Sequence, residues 1–294
     1  MTKRIAPEST ATTVSQLVDM IAETLRGAGI SEPVLEARDI VAALYDAPRF
    51  WPIANAASPV DAAHNARATA TMRLRAVGAP LAYAVGRASF RSLTLDVDER
   101  VLIPRPETER LVDLVLEHAP RHGGVAVDVG TGSGAIAVAL ATEGHFQRVY
   151  GTDISRDALA VAQRNVDASA QTRRAPVELR HGSLLGPVSE VRADVIVSNP
   201  PYIALGEATE LPASVRDWEP AVALYSGASG MTATARLVRE ATDILEPGGL
   251  LALEVDMRRA SLAAELVSRE QRFHHIRVEL DLTGRERFVL ATKR

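Results

Sequence analysis

Apolar residues fall at helical spacing in the first part of the chain and in short, dense runs in the rest. Val14, Leu17, Val18, Ile21 and Leu25 recur every three or four positions behind Thr13-Val14-Ser15-Gln16, a capping-box pattern, and Gly27 and Gly29 supply the stop. Ser31 stands where it would cap a second helix carrying Val34, Ala37, Ile40, Val41 and Leu44, and an Ala-rich, Arg-bearing stretch over residues 60–77, closed by Gly78, predicts a third. Between Phe90 and Val97 the pattern becomes Phe90, Leu93, Leu95, Val97 with polar residues between, which predicts a β-hairpin. From Glu107 onward strand-like runs alternate with helical ones, the strands falling at residues 125–129, 148–152, 177–180, 194–198, 250–255, 276–281 and 288–292. Such alternation predicts an α/β fold, a doubly wound and mostly parallel Rossmann-like sheet with helices on both faces. The expected organisation is a helical domain at 1–80, a linker with a hairpin at 81–104 and the sheet domain at 105–294.

Composition narrows the function classes. Apolar residues make up 47% and charged residues 24%, which predicts a sizeable core. A net charge of −4 argues against a general nucleic-acid coat. The absence of cysteine excludes disulfides, thiolate zinc sites and a thiol nucleophile. Lys3 and Arg4 precede a polar stretch with no apolar segment of signal-peptide length, and no run approaches membrane-spanning length, so the expectation is a soluble cytoplasmic protein, with a monomer favoured.

Three features at strand ends carry the chemistry. The strand at 125–129 runs into Gly130-Thr131-Gly132-Ser133-Gly134 and then into a helix, a turn whose glycines let the backbone bend tightly and approach a ligand. Asp153 closes the next strand, where a carboxylate can accept from both ribose hydroxyls of a nucleoside; as a helix cap it would compete with Ser155. The Gly-x-Gly-x-Gly spacing differs from the Gly-x-Gly-x-x-Gly of dinucleotide enzymes, so a nucleoside with a short charged tail suits the turn better than a diphosphate. Asn199-Pro200-Pro201-Tyr202 follows the apolar strand at 194–198. Each proline fixes its own φ and holds the preceding residue extended, which makes a stiff loop. The Asn199 side-chain oxygen and the Pro200 carbonyl can together accept both hydrogens of an NH2 group and aim its nitrogen outward.

These features in this order resemble the class I methyltransferases that use S-adenosylmethionine. With Ile103-Pro104-Arg105-Pro106-Glu107-Thr108-Glu109 before the first strand, Glu219-Pro220-Ala221-Val222-Ala223-Leu224 after the Asn-Pro-Pro-Tyr loop, and a helical amino-terminal domain, the chain resembles the release factor glutamine methyltransferases of the HemK/PrmC type. The resemblance implies S-adenosyl-L-methionine as cofactor and, as protein partner, peptide-chain release factors methylated on the glutamine of their Gly-Gly-Gln motif. It implies that Gly130, Thr131, Gly132, Ser133 and Gly134 line the methionine portion of the cofactor and that Asp153 holds the ribose. Ser183 and Leu184 would face the adenine and Asn199 would also touch the cofactor; Asn199, Pro200, Pro201 and Tyr202 would hold the glutamine, with Asn199, Pro200 and Tyr202 carrying catalysis. No metal is expected. The chain departs from the family pattern at Ser183, where an acidic residue is usual, and at Gly227-Ala228-Ser229-Gly230-Met231, where the family has Gly-Gly-x-Asp-Gly-Leu. The amino-terminal bundle, which has no cofactor motif, is expected to dock the substrate protein.

Other readings remain open at this point. Enzymes that methylate a nucleobase amine use the same loop chemistry, but they call for a basic groove, and residues 1–84 hold eight Lys/Arg against eight Asp/Glu, so no direct nucleic-acid contact is expected. A glutamine methyltransferase acting on a ribosomal protein shares the pattern, and a non-catalytic cofactor-binding module would keep the fold. His118 and His122 have helical i, i+4 spacing without an acidic residue to complete a zinc motif, and His274 and His275 read as structural. Glu107 and Glu109 complement a helix N-terminus, and Arg105 with Glu107 could close over the cofactor.

Overall fold

A computed structural model describes residues 12–119 and 123–294; Lys3, Arg4 and His122 lie outside the described residues. The chain divides into two compact units, Met1–Arg87 and Ala88–Arg294.

Among the described residues five helices build the first unit: α1 (Val14–Gly27), α2 (Pro33–Leu44), α3 (Trp51–Ala54), α4 (Ala62–Ala76) and α5 (Leu81–Val85). The capping box of α1 forms, with Gln16 N donating to Thr13 Oγ1 and Thr13 N to Gln16 Oε1. Ser31 is not a cap. Glu32 occupies the N-cap position of α2 without a side-chain bond, and Pro33, which needs no N–H partner and has its φ preset for a helix, starts the first turn instead. Asp61 caps α4, accepting from His64 N at 2.9 Å. Leu17, Ile21, Leu25, Ile40 and Val41 are fully buried at the centre of this bundle. The short helices α3 and α5 were not expected from the sequence, since four or five residues carry too little periodicity to register.

The unit boundary falls within the first strand of the hairpin β1 (Arg87–Phe90) and β2 (Leu93–Asp96). After it come α6 (Pro106–His118), β3 (Val125–Val129), α7 (Ala135–Glu143), β4 (Arg148–Asp153), α8 (Arg156–Ala168), β5 (Val177–His181) and β6 (Ala193–Ser198). The chain continues through α9 (Ala213–Arg216), α10 (Ala221–Leu224), α11 (Thr232–Ile244), β7 (Leu245–Glu254), α12 (Ala260–Arg269), β8 (Phe273–Leu280) and β9 (Glu286–Lys293). The last seven strands form one sheet in the order β5-β4-β3-β6-β7-β9-β8, parallel except for β9, which is antiparallel to β7 and β8. This is the doubly wound sheet expected from the sequence.

Both faces of the sheet are covered, which explains why its strands read as unbroken apolar runs. Val195 and Val197 of β6 pack with Leu111 and Val115 of α6 and Leu140 of α7 on one face. Ile196 packs with Leu237 and Val238 of α11 and Ala263 of α12 on the other. Strand order reverses between β3 and β6, where register pairs Val129 with Ser198. Their continuations, Gly130 and Asn199, therefore meet at the topological switch point, where open α/β sheets take their ligands.

Candidate active site

Gly130 and Thr131 both donate their N–H to the Thr152 carbonyl, at 2.8 and 2.9 Å, so the chain reverses as it leaves β3. Gly130, Gly132 and Gly134 all adopt positive φ, conformations that side chains resist. Two carboxylates brace the turn. Asp128, fully buried in β3, accepts from Thr131 Oγ1 at 2.6 Å and from Ala137 N at 3.1 Å, and burial pushes its pKa up to about 7. Asp153, at the end of β4, accepts from Gly132 N and Ser155 N, each at 2.9 Å, and burial raises its pKa. Ser155 caps α8, accepting from Ala158 N, so Asp153 is not the helix cap.

A cavity of about 400 Å³ opens above these strand ends, lined by Gly130, Gly132, Asp153, Ser183, Leu184, Asn199 and Pro201 together with the apolar Leu102, Ile154 and Val222. Thr131, Ser133 and Gly134 do not lie on its wall. The Thr131 hydroxyl is given to Asp128, the Ser133 carbonyl accepts from Asn165 Nδ2, and Gly134 abuts α8, where an added Cβ would sit 3.3 Å from Ala162 Cβ. Gly130 differs: a Cβ there would meet no protein atom and would project into open space. At the far end Arg236 Nη1 donates to Ser183 Oγ at 3.2 Å while its Nε donates to Glu240, so a guanidinium stands beside the serine.

A second cavity, of about 310 Å³, is lined by Asn199, Tyr202, Ile203, Glu207, Asp256 and Arg258, among others. Asn199 thus belongs to the walls of both. Pro200 is buried. Among the described residues no protein donor takes Asn199 Oδ1 or the Pro200 carbonyl, whereas Asn199 Nδ2 donates to Thr108 Oγ1 at 3.2 Å. Burial pushes the Tyr202 hydroxyl up to about 12, so the phenol stays neutral. The loop is fastened by Ile203 N to the Leu224 carbonyl and by Ser226 N to the Ile203 carbonyl. Gly230 lies against it, with an added Cβ only 2.3 Å from the Tyr202 carbonyl oxygen, so the departure from the family pattern at 227–231 still keeps a glycine where the loop leaves no room for a side chain.

Two family models match the chain, a PrmC N-terminal domain over residues 16–86 and a Methyltransferase small domain over residues 108–214. A release factor glutamine methyltransferase of Moorella thermoacetica is 37% identical over 96% of this chain and 99% of its own length. One from Enterococcus faecalis is 38% identical over 72% of this chain and 75% of its own. The chain belongs to the release factor glutamine methyltransferase family. Among solved structures, a methyltransferase from Pyrococcus furiosus shares the fold, with a TM-score of 0.52 at 21% identity over 70% of this chain and 90% of that one.

Of the charged residues around this methyltransferase's site, most were singled out from the sequence, but Glu254 was not. Arg105 does not reach the first cavity as a lid but pairs with the buried Glu219 at 2.5 Å, and Glu109 accepts from Arg91 N. His118 is bonded to the Leu114 carbonyl and to Arg277, and His274 and His275 sit at a register shift in β8. Glu254 stands 1% exposed at the end of β7 and accepts from Thr108 Oγ1 at 2.7 Å. A signal for Glu254 exists in the sequence: it is the one acid in the apolar run Leu250-Leu251-Ala252-Leu253-Glu254-Val255, at the carboxyl end of a strand, as Asp153 is.

Burial pushes Glu254 from 4.5 up to about 7, so the folded protein holds this proton more tightly than the unfolded chain does. Stability is therefore lost as pH rises from about 4.5 through about 7, by roughly 3 kcal/mol once the group is ionised. Glu254→Gln is expected to gain in thermal midpoint relative to the parent between pH 5 and pH 8, measured by scanning calorimetry. A difference between the two proteins that stays constant across that range would contradict the assignment.

Proposed function

We propose that this chain transfers the methyl group of S-adenosylmethionine to the side-chain amide nitrogen of the glutamine in the Gly-Gly-Gln motif of peptide-chain release factors. The observation that carries this reading is Asn199, standing on the shared wall of two cavities with its Oδ1 and the Pro200 carbonyl untaken by protein donors. The first cavity suits the cofactor: Gly130 and Gly132 leave backbone exposed for close approach, Asp153 offers lone pairs for ribose hydroxyls, and Leu102, Ile154 and Val222 supply apolar walls for a nucleobase. When bound, the cofactor supplies a methyl group on a sulfonium, already activated as an electrophile. The second cavity suits the glutamine, with Tyr202 and Ile203 beside its methylenes.

A carboxamide nitrogen is a poor nucleophile because its lone pair is delocalised. Asn199 Oδ1 and the Pro200 carbonyl, accepting one N–H each, favour a pyramidal nitrogen and aim its lone pair across the shared wall. Placement of this kind can lower a barrier by roughly 7 to 11 kcal/mol. As the N–C bond forms and the S–C bond breaks, the nitrogen becomes positive and both acceptors bind it more strongly than they bind the neutral amide, which accelerates the step; the electron pair stays on the departing thioether and one N–H proton leaves to solvent. At the adenine end the Ser183 hydroxyl takes the place of the usual acidic residue as acceptor for the amino group, while Arg236, which has only donors and gives one to Ser183, suits a ring nitrogen.

The test is methyl transfer from labelled cofactor into three acceptors offered separately: intact release factor, a ribosomal protein mixture and RNA. Label in release factor is expected; label in ribosomal protein or RNA without it would replace this reading with one of its rivals. The first compact unit serves, on this proposal, to dock the body of the release factor and so raise the local concentration of its glutamine loop. A chain beginning at Ala88 is expected to keep its cofactor affinity and its rate on a short Gly-Gly-Gln peptide, and to lose about tenfold or more on intact release factor. Equal losses on peptide and protein, read from initial rates, would contradict the docking role.

A further inference from the structure

The groups that hold Asn199 lie outside both cavities. Parallel register pairs Ser198 of β6 with Leu253 of β7, so the next residues, Asn199 and Glu254, stand side by side at the carboxyl edge of the sheet. Thr108, in the first turn of α6, bridges them: its Oγ1 donates to Glu254 Oε2 at 2.7 Å and accepts from Asn199 Nδ2 at 3.2 Å. A threonine hydroxyl carries one hydrogen. With that hydrogen committed to the carboxylate, only lone pairs remain toward Asn199, and the amide must present its N–H. A flipped Asn199 would set Oδ1 against those lone pairs with no hydrogen between them. With Glu254 ionised the direction of the whole chain of bonds is therefore fixed from Glu254 outward, whereas a protonated Glu254 could donate to Thr108 and release it.

We propose that Thr108 and Glu254 are positioning residues that lock the Asn199 amide with Oδ1 turned toward the methyl-accepting nitrogen. The proposal rests on the reading of Asn199 as the amide clamp. Burial of the pair supports it: Thr108 is 5% and Glu254 1% exposed, and a carboxylate there is harder to hold than an apolar residue of the same size. Leu253 and Val255, its neighbours in sequence, are both fully buried apolar residues. Packing alone would be served by a third.

The test compares Thr108→Val, Thr108→Ser, Glu254→Gln and Asn199→Ala in the full-length protein by single-turnover transfer, with cofactor affinity and thermal midpoint measured alongside. Valine keeps the shape of threonine and removes the hydroxyl, so Thr108→Val is expected to transfer roughly five- to tenfold more slowly at unchanged cofactor affinity. Thr108→Ser is expected to recover the parent rate. A glutamine at 254 can offer its N–H to Thr108 and reverse the chain, so Glu254→Gln is expected to be slow as well. Because Thr108 acts through Asn199, Thr108→Val placed on Asn199→Ala should cost nothing further. A parent-like rate in Thr108→Val beside a slow Asn199→Ala would overturn the positioning role alone. Full additivity of the two losses would also overturn it, since a merely structural residue behaves that way. A parent-like Asn199→Ala would sink the amide clamp and this proposal together.

Discussion

Asn199→Ala is expected to slow single-turnover methyl transfer about 30-fold to 1000-fold while the protein still binds its cofactor, a loss of about 2 to 4 kcal/mol of transition-state stabilisation. The size follows from what the side chain does. On the proposed reading its Oδ1 is one of two acceptors for the reacting NH2 group, and its hydrogen bond strengthens as charge develops on that nitrogen, so its removal falls on the chemical step more than on binding. The first cavity keeps Gly130, Gly132, Asp153, Ser183 and Leu184 in the variant, which is why affinity should survive if it is the cofactor site. Asn199→Asp is the sharper comparison: it retains an acceptor but loses the N–H that meets Thr108 Oγ1, so the side chain loses its anchor. Parent-like transfer by Asn199→Ala would mean that another group holds the amide.

Asp153→Ala is expected to weaken cofactor binding about tenfold to a hundredfold, equivalent to about 1.5 to 3 kcal/mol, with the same loss for S-adenosylhomocysteine as for S-adenosylmethionine. On the proposed reading Asp153 offers its remaining lone pairs to ribose while already holding Gly132 N and Ser155 N, so the substitution removes a ligand contact and loosens the glycine turn at once. Asp153→Asn separates the two effects, because an amide oxygen can still accept from one of the backbone N–H groups. Calorimetric titration reads the affinities directly. Unchanged affinity in Asp153→Ala would remove this residue from the cofactor site.

Much of the sheet was legible in the sequence because both its faces are buried, so its strands are uninterrupted apolar runs whose polar residues collect at the ends. Asp153 and Asn199 stand out for that reason, and the switch point between β3 and β6 brings their neighbourhoods together. Glu254 has the same signature, yet its partnership with Asn199 depends on the register between β6 and β7, which no local pattern encodes. Within the glycine turn, a small polar residue can face a ligand or the core with equal ease. Thr131 faces the core because Asp128 offers its hydroxyl a partner there, and Ser133 is buried with its backbone carbonyl held by Asn165. Arg236 reaches Ser183 from α11, more than fifty positions along the chain, so its place beside the altered residue appears only in three dimensions. The start of α2 was misplaced because Pro33 is as strong a helix-opening signal as the serine that precedes it.

Which atom receives the methyl group is the most direct test of the account. Intact release factor incubated with the full-length protein and labelled S-adenosylmethionine, then digested and sequenced by tandem mass spectrometry, is expected to carry a single added methyl group on the side-chain nitrogen of the Gly-Gly-Gln glutamine. A release factor with that glutamine replaced by alanine should take up no label. Label on any other residue, or undiminished label in the alanine protein, would contradict the assignment of Asn199 and Pro200 as an amide clamp for glutamine.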